Sequence, residues 1–207
     1  MRDSFGIGTL RPSDHPVQFT PPGSLMSDSF ELFRNAFKSQ IHSSLAMLKQ
    51  AIEDCPDELW VSREYRNPYW RIVYHTLYFT HLYLQPSVNE FTPWAHHQTS
   101  IQDMDDIPSP PDIMNLTELP HRPPQTGKPY TREQMIEYWT ICDNMVDETV
   151  DRWDLCSQES GFSWYRVSLF EHKLVAIRHI HHHLGQLMDR LRKHADIGIR
   201  WVGAQKR

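Results

Sequence analysis

Apolar side chains recur every three or four residues along four stretches of the chain, the spacing of one buried helix face. The first stretch, from about Asp28 to Ile52, predicts a helix. Its apolar face is formed by Phe30, Phe33, Phe37, Ile41, Leu45, Leu48 and Ile52. The second stretch, from Pro68 to Gln85, is apolar or aromatic on nearly every side, which predicts a helix buried between neighbours. Asn67 is the expected N-cap of this helix, with Pro68 in its first turn.

Two further helices are predicted to begin at capping boxes, in which Ser or Thr pairs with Glu or Gln three residues later. Thr131 and Gln134 open a helix that extends to about Trp153. Its inward face is formed by Met135, Tyr138, Trp139, Cys142, Val146, Thr149 and Trp153. Ser168 and Glu171 open the last helix, which continues to about His194. Four long helices with no convincing strand predict an all-α fold, a four-helix bundle.

The pattern also divides the chain. Residues 1–27 are rich in Pro, Gly and Ser and are expected to form an extended lead-in to a helical domain at 28–195. Residues 86–129 are rich in proline and have no sustained period, which predicts a long irregular loop between the second and third helices. A loop of this length is commonly a lid or a binding loop. Residues 196–207 form a C-terminal tail.

Composition and charge exclude several classes of protein. The formal net charge is −5 over 207 residues and no basic run occurs, which argues against nucleic acid as a partner. The sequence has neither a secretory signal pattern nor an apolar stretch of membrane-spanning length, so we expect a soluble, cytoplasmic protein without a membrane partner. The three cysteines have no CxxC spacing, which favours neither disulfides nor a cysteine zinc site.

The last helix contains four histidines within five positions, in the run "RHIHHHLGQL". At 100° per residue, His179 and His183 lie one turn apart on the same side, next to the apolar arc. His181 points to the opposite side and His182 to a flank, as expected of polar surface. A third imidazole is available from His75, halfway along the most buried helix, where an unpaired ring would be costly. An HxxxH pair alone is more often surface or hydrogen-bonded histidine than a metal site.

Three converging imidazoles would bind a divalent transition metal ion, such as Zn, Ni or Fe, and leave coordination positions open. Four other residues are candidates for orienting the ligands or a nucleophile. They are Tyr78, His172, His182 and Gln186. No carboxylate is expected on the inward faces of the last two helices, so no general base is identified. Gly185 is expected to permit close approach of another backbone. Six other histidines are assigned to surface or loop: His42, His81, His96, His97, His121 and His194.

From about Ser29 to His194 the sequence resembles the DinB-like (YfiT-like) metalloenzymes. The resemblance depends on Trp70 and His75 in a W-x4-H pattern, on "RHIHHHLGQL", which matches that family's H-x3-H followed by Gly-Gln, and on "DCPDELW" before the second helix. It implies a four-helix bundle with a three-histidine metal site formed by His75, His179 and His183. It also implies hydrolysis, or transfer of a low-molecular-weight thiol to a small electrophile, and a homodimer.

Three functions remain open from the sequence. The first is a metal-dependent hydrolase or thiol transferase acting on a small molecule, in which the ion activates a water or thiol. The second is a binding or sensor protein that holds a metal or small molecule without turnover. The third is a metal-free interaction protein.

Overall fold

The computed structural model describes residues 22–104 and 127–205, with side chains from residue 28 onward. Its five α-helices are α1 (Pro22–Glu53), α2 (Asp57–Trp60), α3 (Tyr69–Leu84), α4 (Arg132–Asp151) and α5 (Leu169–Ala195), with a short 3-10 helix at Val88–Glu90. No strand occurs in the described ranges. The predicted all-α class is therefore confirmed for this part of the chain, and the one-turn helix α2 is an addition to the four expected helices.

The four long helices pack in a closed order. Helix α1 lies against α4 and α5, and α3 lies against the same two helices. The apolar faces predicted from the sequence meet between them, and most of these side chains are buried. Phe33 is an exception, since it is 41 % exposed; its ring makes an edge contact with Phe170 at 5.5 Å between centroids. The core therefore follows the predicted pattern from Phe37 onward.

Two helix starts differ from the prediction. Helix α1 begins at Pro22 rather than Asp28, because proline is well tolerated in a first helical turn. The rest of the expected lead-in, residues 1–21, lies outside the described residues. The expected cap of α3 by Asn67 is wrong, because Pro68 occupies the N-cap position and makes no side-chain cap. The Asn67 carbonyl instead accepts a hydrogen bond from Arg190 at 2.7 Å, which ties this turn to α5.

The capping predictions for α4 and α5 depend on local chemistry. The Thr131–Gln134 capping box is confirmed in both of its hydrogen bonds, at 3.2 and 2.9 Å. At α5, the Ser168 hydroxyl accepts from the Glu171 backbone N–H at 3.2 Å. Helix α5 ends at Ala195, followed by Asp196 in the left-handed conformation with φ of 55°. Short sequence signals therefore fix where these two helices begin.

The far end of α3 is held by a buried lysine. The Lys173 ammonium group, from α5, donates to the carbonyls of Tyr83 and Gln85 at 2.6 and 2.8 Å. The last carbonyls of a helix have no partner within the helix, so these bonds supply one. Burial lowers the Lys173 pKa to about 7. The contact joins the C-terminal end of α3 to the first turns of α5.

The loop and the tail are only partly described. Within 86–129 the described residues contain no helix beyond Val88–Glu90, as predicted, while residues 105–126 lie outside the described part. The tail lies along α1, where the Gln50 amide exchanges hydrogen bonds with the Arg200 backbone at 3.3 and 3.1 Å. Gln40 donates to the Gly203 carbonyl at 3.2 Å. The tail is thus part of the packed structure.

Candidate metal centre

Helices α3 and α5 bring His75, His179 and His183 together. The Nε2 atom of His179 lies 3.1 Å from Nε2 of His75 and 3.1 Å from Nε2 of His183. One ligand atom from each of the three rings lies within 4.8 Å of the others. His179 and His183 share a face because they are one helical turn apart, and His75 faces them because α3 packs on α5. The predicted convergence therefore occurs.

Aromatic side chains cover part of the candidate site. His75 and His183 are buried and His179 is half-buried. The Phe79 ring contacts His75 at 4.7 Å and His179 at 5.4 Å between centroids, and Tyr83 reaches His179 at 6.1 Å. The site consequently has little contact with water, and polar interactions within it are strengthened.

Two of the imidazoles are oriented through their second nitrogen. His75 Nδ1 donates to the backbone carbonyl of Gln102 at 2.6 Å, and His183 Nδ1 donates to Gln186 Oε1 at 3.0 Å. A carbonyl oxygen only accepts, so the proton of each neutral ring is on Nδ1. This leaves the Nε2 lone pairs directed at their common centre. Metal-binding histidines typically have this arrangement.

The donor set fits a small divalent ion. Zn–N bonds of about 2.0–2.1 Å in tetrahedral geometry place neighbouring nitrogens about 3.3 Å apart, close to the 3.1 Å observed. Lone pairs directed at one point repel one another unless a cation lies between them. Among the described residues, no other group of three or more His, Cys, Asp or Glu side chains has metal-binding spacing. The three histidines can therefore hold a metal ion.

The four other candidate residues lie at different distances from this centre. Gln186 contacts His183 directly, and its amide nitrogen is 3.4 Å from Nε2 of the exposed His182. The His182 ring contacts His183 at 4.8 Å between centroids. Tyr78 packs on Phe79 at 5.3 Å, one ring further out. Burial and the nearby Asp103 raise the Tyr78 pKa.

His172 lies in a second cluster of rings. Its imidazole is fully buried and contacts Tyr83, Phe162 and Tyr165 at 4.8, 4.5 and 4.9 Å between centroids. Burial, and secondarily the charge of Lys173, lower the His172 pKa to about 3, so the ring is neutral. Tyr83 contacts both His172 and His179, which connects this cluster to the candidate metal centre.

Sequence reasoning missed a buried polar cluster between α1 and α4. His42 was expected at the surface but is 2 % exposed, with Nδ1 2.7 Å from Asp143 and Nε2 3.2 Å from Asp147. Asp143 is itself 4 % exposed, so the expectation of no inward carboxylate on the last two helices is wrong for α4. The signal that could have indicated this cluster is the position of Asp143, directly after the inward-facing Cys142 on α4. It lies on the α1–α4 side, whereas the three histidines lie between α3 and α5.

Other histidine assignments also change. His81 is half-buried, its ring is 3.2 Å from the Tyr138 hydroxyl, and burial lowers its pKa to about 4. His181 is half-buried, and its Nε2 donates to Ser44 on α1 at 2.9 Å. His81 was expected at the surface or in a loop and His181 at the polar surface, but neighbouring helices partly cover both rings. His96 and His194 are exposed as expected, and His121 lies outside the described residues.

The expected role of Gly185 is wrong. A Cβ atom at this position would meet no described residue within 4 Å, so the backbone of no other described element approaches it. The residue is exposed on α5. Gly185 therefore affects the stability of α5 itself rather than the packing of α5 against other helices.

Comparisons with models of known protein families, with curated proteins and with solved structures found no match to this chain. Among the described residues, no helix combines the length and apolar character needed to cross a membrane.

Proposed function

We propose that this chain is a metal-dependent enzyme of the DinB-like type, with its four long helices forming a four-helix bundle. His75, His179 and His183 hold one divalent transition metal ion, such as Zn, Ni or Fe. The observation that carries this proposal is the approach of three Nε2 atoms to one another, with two rings oriented through Nδ1. That arrangement directs Nε2 of His75 and Nε2 of His183 at the same point as Nε2 of His179.

Three protein ligands favour catalysis over a purely structural role. Structural zinc sites generally use four protein ligands, whereas catalytic sites use three and leave a position for water or substrate. A bound ion supplies Lewis acidity, which lowers the pKa of a coordinated water or thiol toward about 7. The chain itself holds the imidazoles in position. The rings of Phe79 and Tyr83 shield them from bulk water. His182, exposed beside His183, is the candidate for exchanging a proton with solvent.

The substrate we propose is a small, uncharged electrophile that is hydrolysed or transferred to a low-molecular-weight thiol. The rings that contact His75 and His179 belong to Phe79 and Tyr83, and neither carries a charge. Such surroundings favour a neutral group over a phosphorylated one, whose charge would be costly to bury. A screen of electrophiles with and without added thiols distinguishes hydrolysis from thiol transfer.

Elemental analysis of protein purified without an affinity tag tests the metal site. We expect about one transition metal ion per chain, and its loss in His179→Ala, because two rings cannot replace the three-nitrogen set. His194→Ala is the matched control, since this histidine lies on the same helix but is exposed and remote from the ligands along the chain. Unchanged metal content in His179→Ala would contradict the proposal.

Removal of the metal distinguishes a catalytic ion from a structural one. We expect chelated protein to keep its helical circular dichroism while losing activity, because the apolar faces of the four long helices are packed independently of the site. Unfolding on chelation would show that the ion is structural and would support a non-catalytic role.

A further inference from the structure

Part of the long loop packs beside the metal centre. The segment 94–104, called here the docked segment, begins at Trp94, whose ring stacks on Tyr138 of α4 at 4.6 Å and 7°. Near its end, Ile101 and Met104 are 1 % and 2 % exposed. Gly127 lies so close to Ile101 that a Cβ atom at Gly127 would collide with the Ile101 side chain. The docked segment is therefore inserted in the apolar core.

Hydrogen bonds fix the docked segment at its base and on α3. The Gln98 amide donates to the Lys128 carbonyl at 3.0 Å and accepts from the Lys128 N–H at 3.1 Å. The Gln98 backbone N–H donates to the Tyr130 hydroxyl at 2.9 Å. On α3, the Tyr74 hydroxyl lies 2.5 Å from His97 Nδ1. The chain before residues 105–126 is thus joined to the chain after them.

One contact connects the docked segment to the candidate ligands. The Gln102 carbonyl accepts the hydrogen bond from His75 Nδ1 at 2.6 Å. By contrast, the acceptor for His183 is Gln186, one turn away on the same helix. The His183 partner is therefore present whenever α5 is folded. The His75 partner is present only when the docked segment is in position.

We propose that the docked segment is a component of the metal centre, and that its docking and metal binding strengthen each other. This inference depends on the proposed metal site. A cation at Nε2 withdraws electron density from the His75 ring and makes Nδ1–H a stronger donor to Gln102. Conversely, the Gln102 carbonyl fixes the ring orientation and increases the basicity of Nε2. Coupling of this kind is reciprocal, so metal binding must also stabilise docking.

Ile101→Ala tests the effect of docking on the metal. This change removes a buried anchor of the docked segment without altering any ligand. We expect the Zn²⁺ dissociation constant, measured by competition with a chromophoric chelator, to increase about tenfold or more. Ile52→Ala is the matched control: it makes the same deletion at a fully buried position on α1, and we expect a change within about twofold. Equal affinities for the two variants would overturn the inference.

Hydrogen exchange on the unmodified protein tests the reverse effect and needs no variant. We expect amides of residues 97–104 to exchange more slowly with Zn²⁺ bound than after chelation, while those of α4 change little. Exchange in 97–104 that is independent of Zn²⁺ would overturn the inference while leaving the metal site intact. A protein that takes up no Zn²⁺ in either experiment would instead overturn the proposed metal centre and the inference with it.

Discussion

His42 and Asp143 form a buried polar contact between α1 and α4, with Nδ1 and Oδ1 2.7 Å apart and both side chains nearly inaccessible to water. The other ring nitrogen of His42 faces Asp147 at 3.2 Å. Carboxylates only accept, so both bonds form together when the ring carries two N–H groups and is charged. The contact therefore places a hydrogen-bonded carboxylate inside the protein.

Loss of the buried carboxylate should be costly. We expect Asp143→Asn to lower the free energy of unfolding by about 3 kcal/mol or more, because it breaks a buried contact between a histidine and its nearest carboxylate. Asp147→Asn is the comparison, since its side chain is 51 % exposed and the same ring is its partner. There we expect a loss below about 1 kcal/mol. Urea unfolding of both variants measures the difference, and equal losses would contradict the role of burial.

Lys173 should make stability depend on pH. Burial lowers its pKa to about 7, whereas the unfolded chain keeps the proton up to about 10.4. Between these values the unfolded state binds more protons, so the contribution of Lys173 to stability rises with pH, by at most about 1.4 kcal/mol per unit. Below pH 7 the contribution is constant and least favourable.

The matching variant is Lys173→Met, which keeps the length of the side chain without the charge. Chemical unfolding at several pH values from 7 to 9.5 compares the two proteins. We expect the stability of the wild type to increase relative to the variant across this range. A difference that stays constant with pH would show that Lys173 keeps its proton in the folded protein.

Gly185 offers a stabilising substitution. It is exposed in the interior of α5 and has open space around the position of a Cβ atom. Gly185→Ala should therefore raise the free energy of unfolding by about 0.5–1 kcal/mol through helix propensity. Gly161→Ala provides the contrast, because Gly161 has φ of 83° and a Cβ there would collide with the Pro86 carbonyl. Thermal unfolding should show opposite shifts for the two variants.

Gln186 should tune metal affinity through His183. Replacing it with leucine removes the acceptor for His183 Nδ1–H, and we expect the Zn²⁺ dissociation constant to increase by about 10- to 100-fold. Gln186→Glu keeps an acceptor oxygen and should bind at least as tightly as the wild type, because a charged acceptor forms a stronger hydrogen bond. Chelator competition distinguishes these outcomes. Similar affinities for both variants would show that the Gln186 contact does not support the ligand.

Structural features whose cause lies within one helix were predicted correctly from the sequence. The Thr131–Gln134 capping box needs only residues three apart, and the shared face of His179 and His183 needs only the helical repeat. His75 was found because a polar ring in an otherwise apolar helix requires a partner. In each case the physical cause lies close by in the sequence.

Features that depend on contact with another part of the chain could not be predicted in this way. His42 follows Ile41 on α1, and its burial depends on Asp143 approaching from α4. Every residue has a backbone carbonyl, so the sequence does not single out Gln102 as a partner. Its contact with His75 is seen only in the three-dimensional structure. The space around Gly185 likewise depends on how the other helices are arranged.

The paired hydrogen bonds between Gln98 and Lys128 limit the effect of changes in loop length. They join the chain before residues 105–126 to the chain after them, so the ends of that stretch are held at a fixed separation. Insertions or deletions there would alter loop-closure entropy only slowly with length and would leave the His75 acceptor where it is. Changes in the length of this stretch would therefore leave His75, His179 and His183 together.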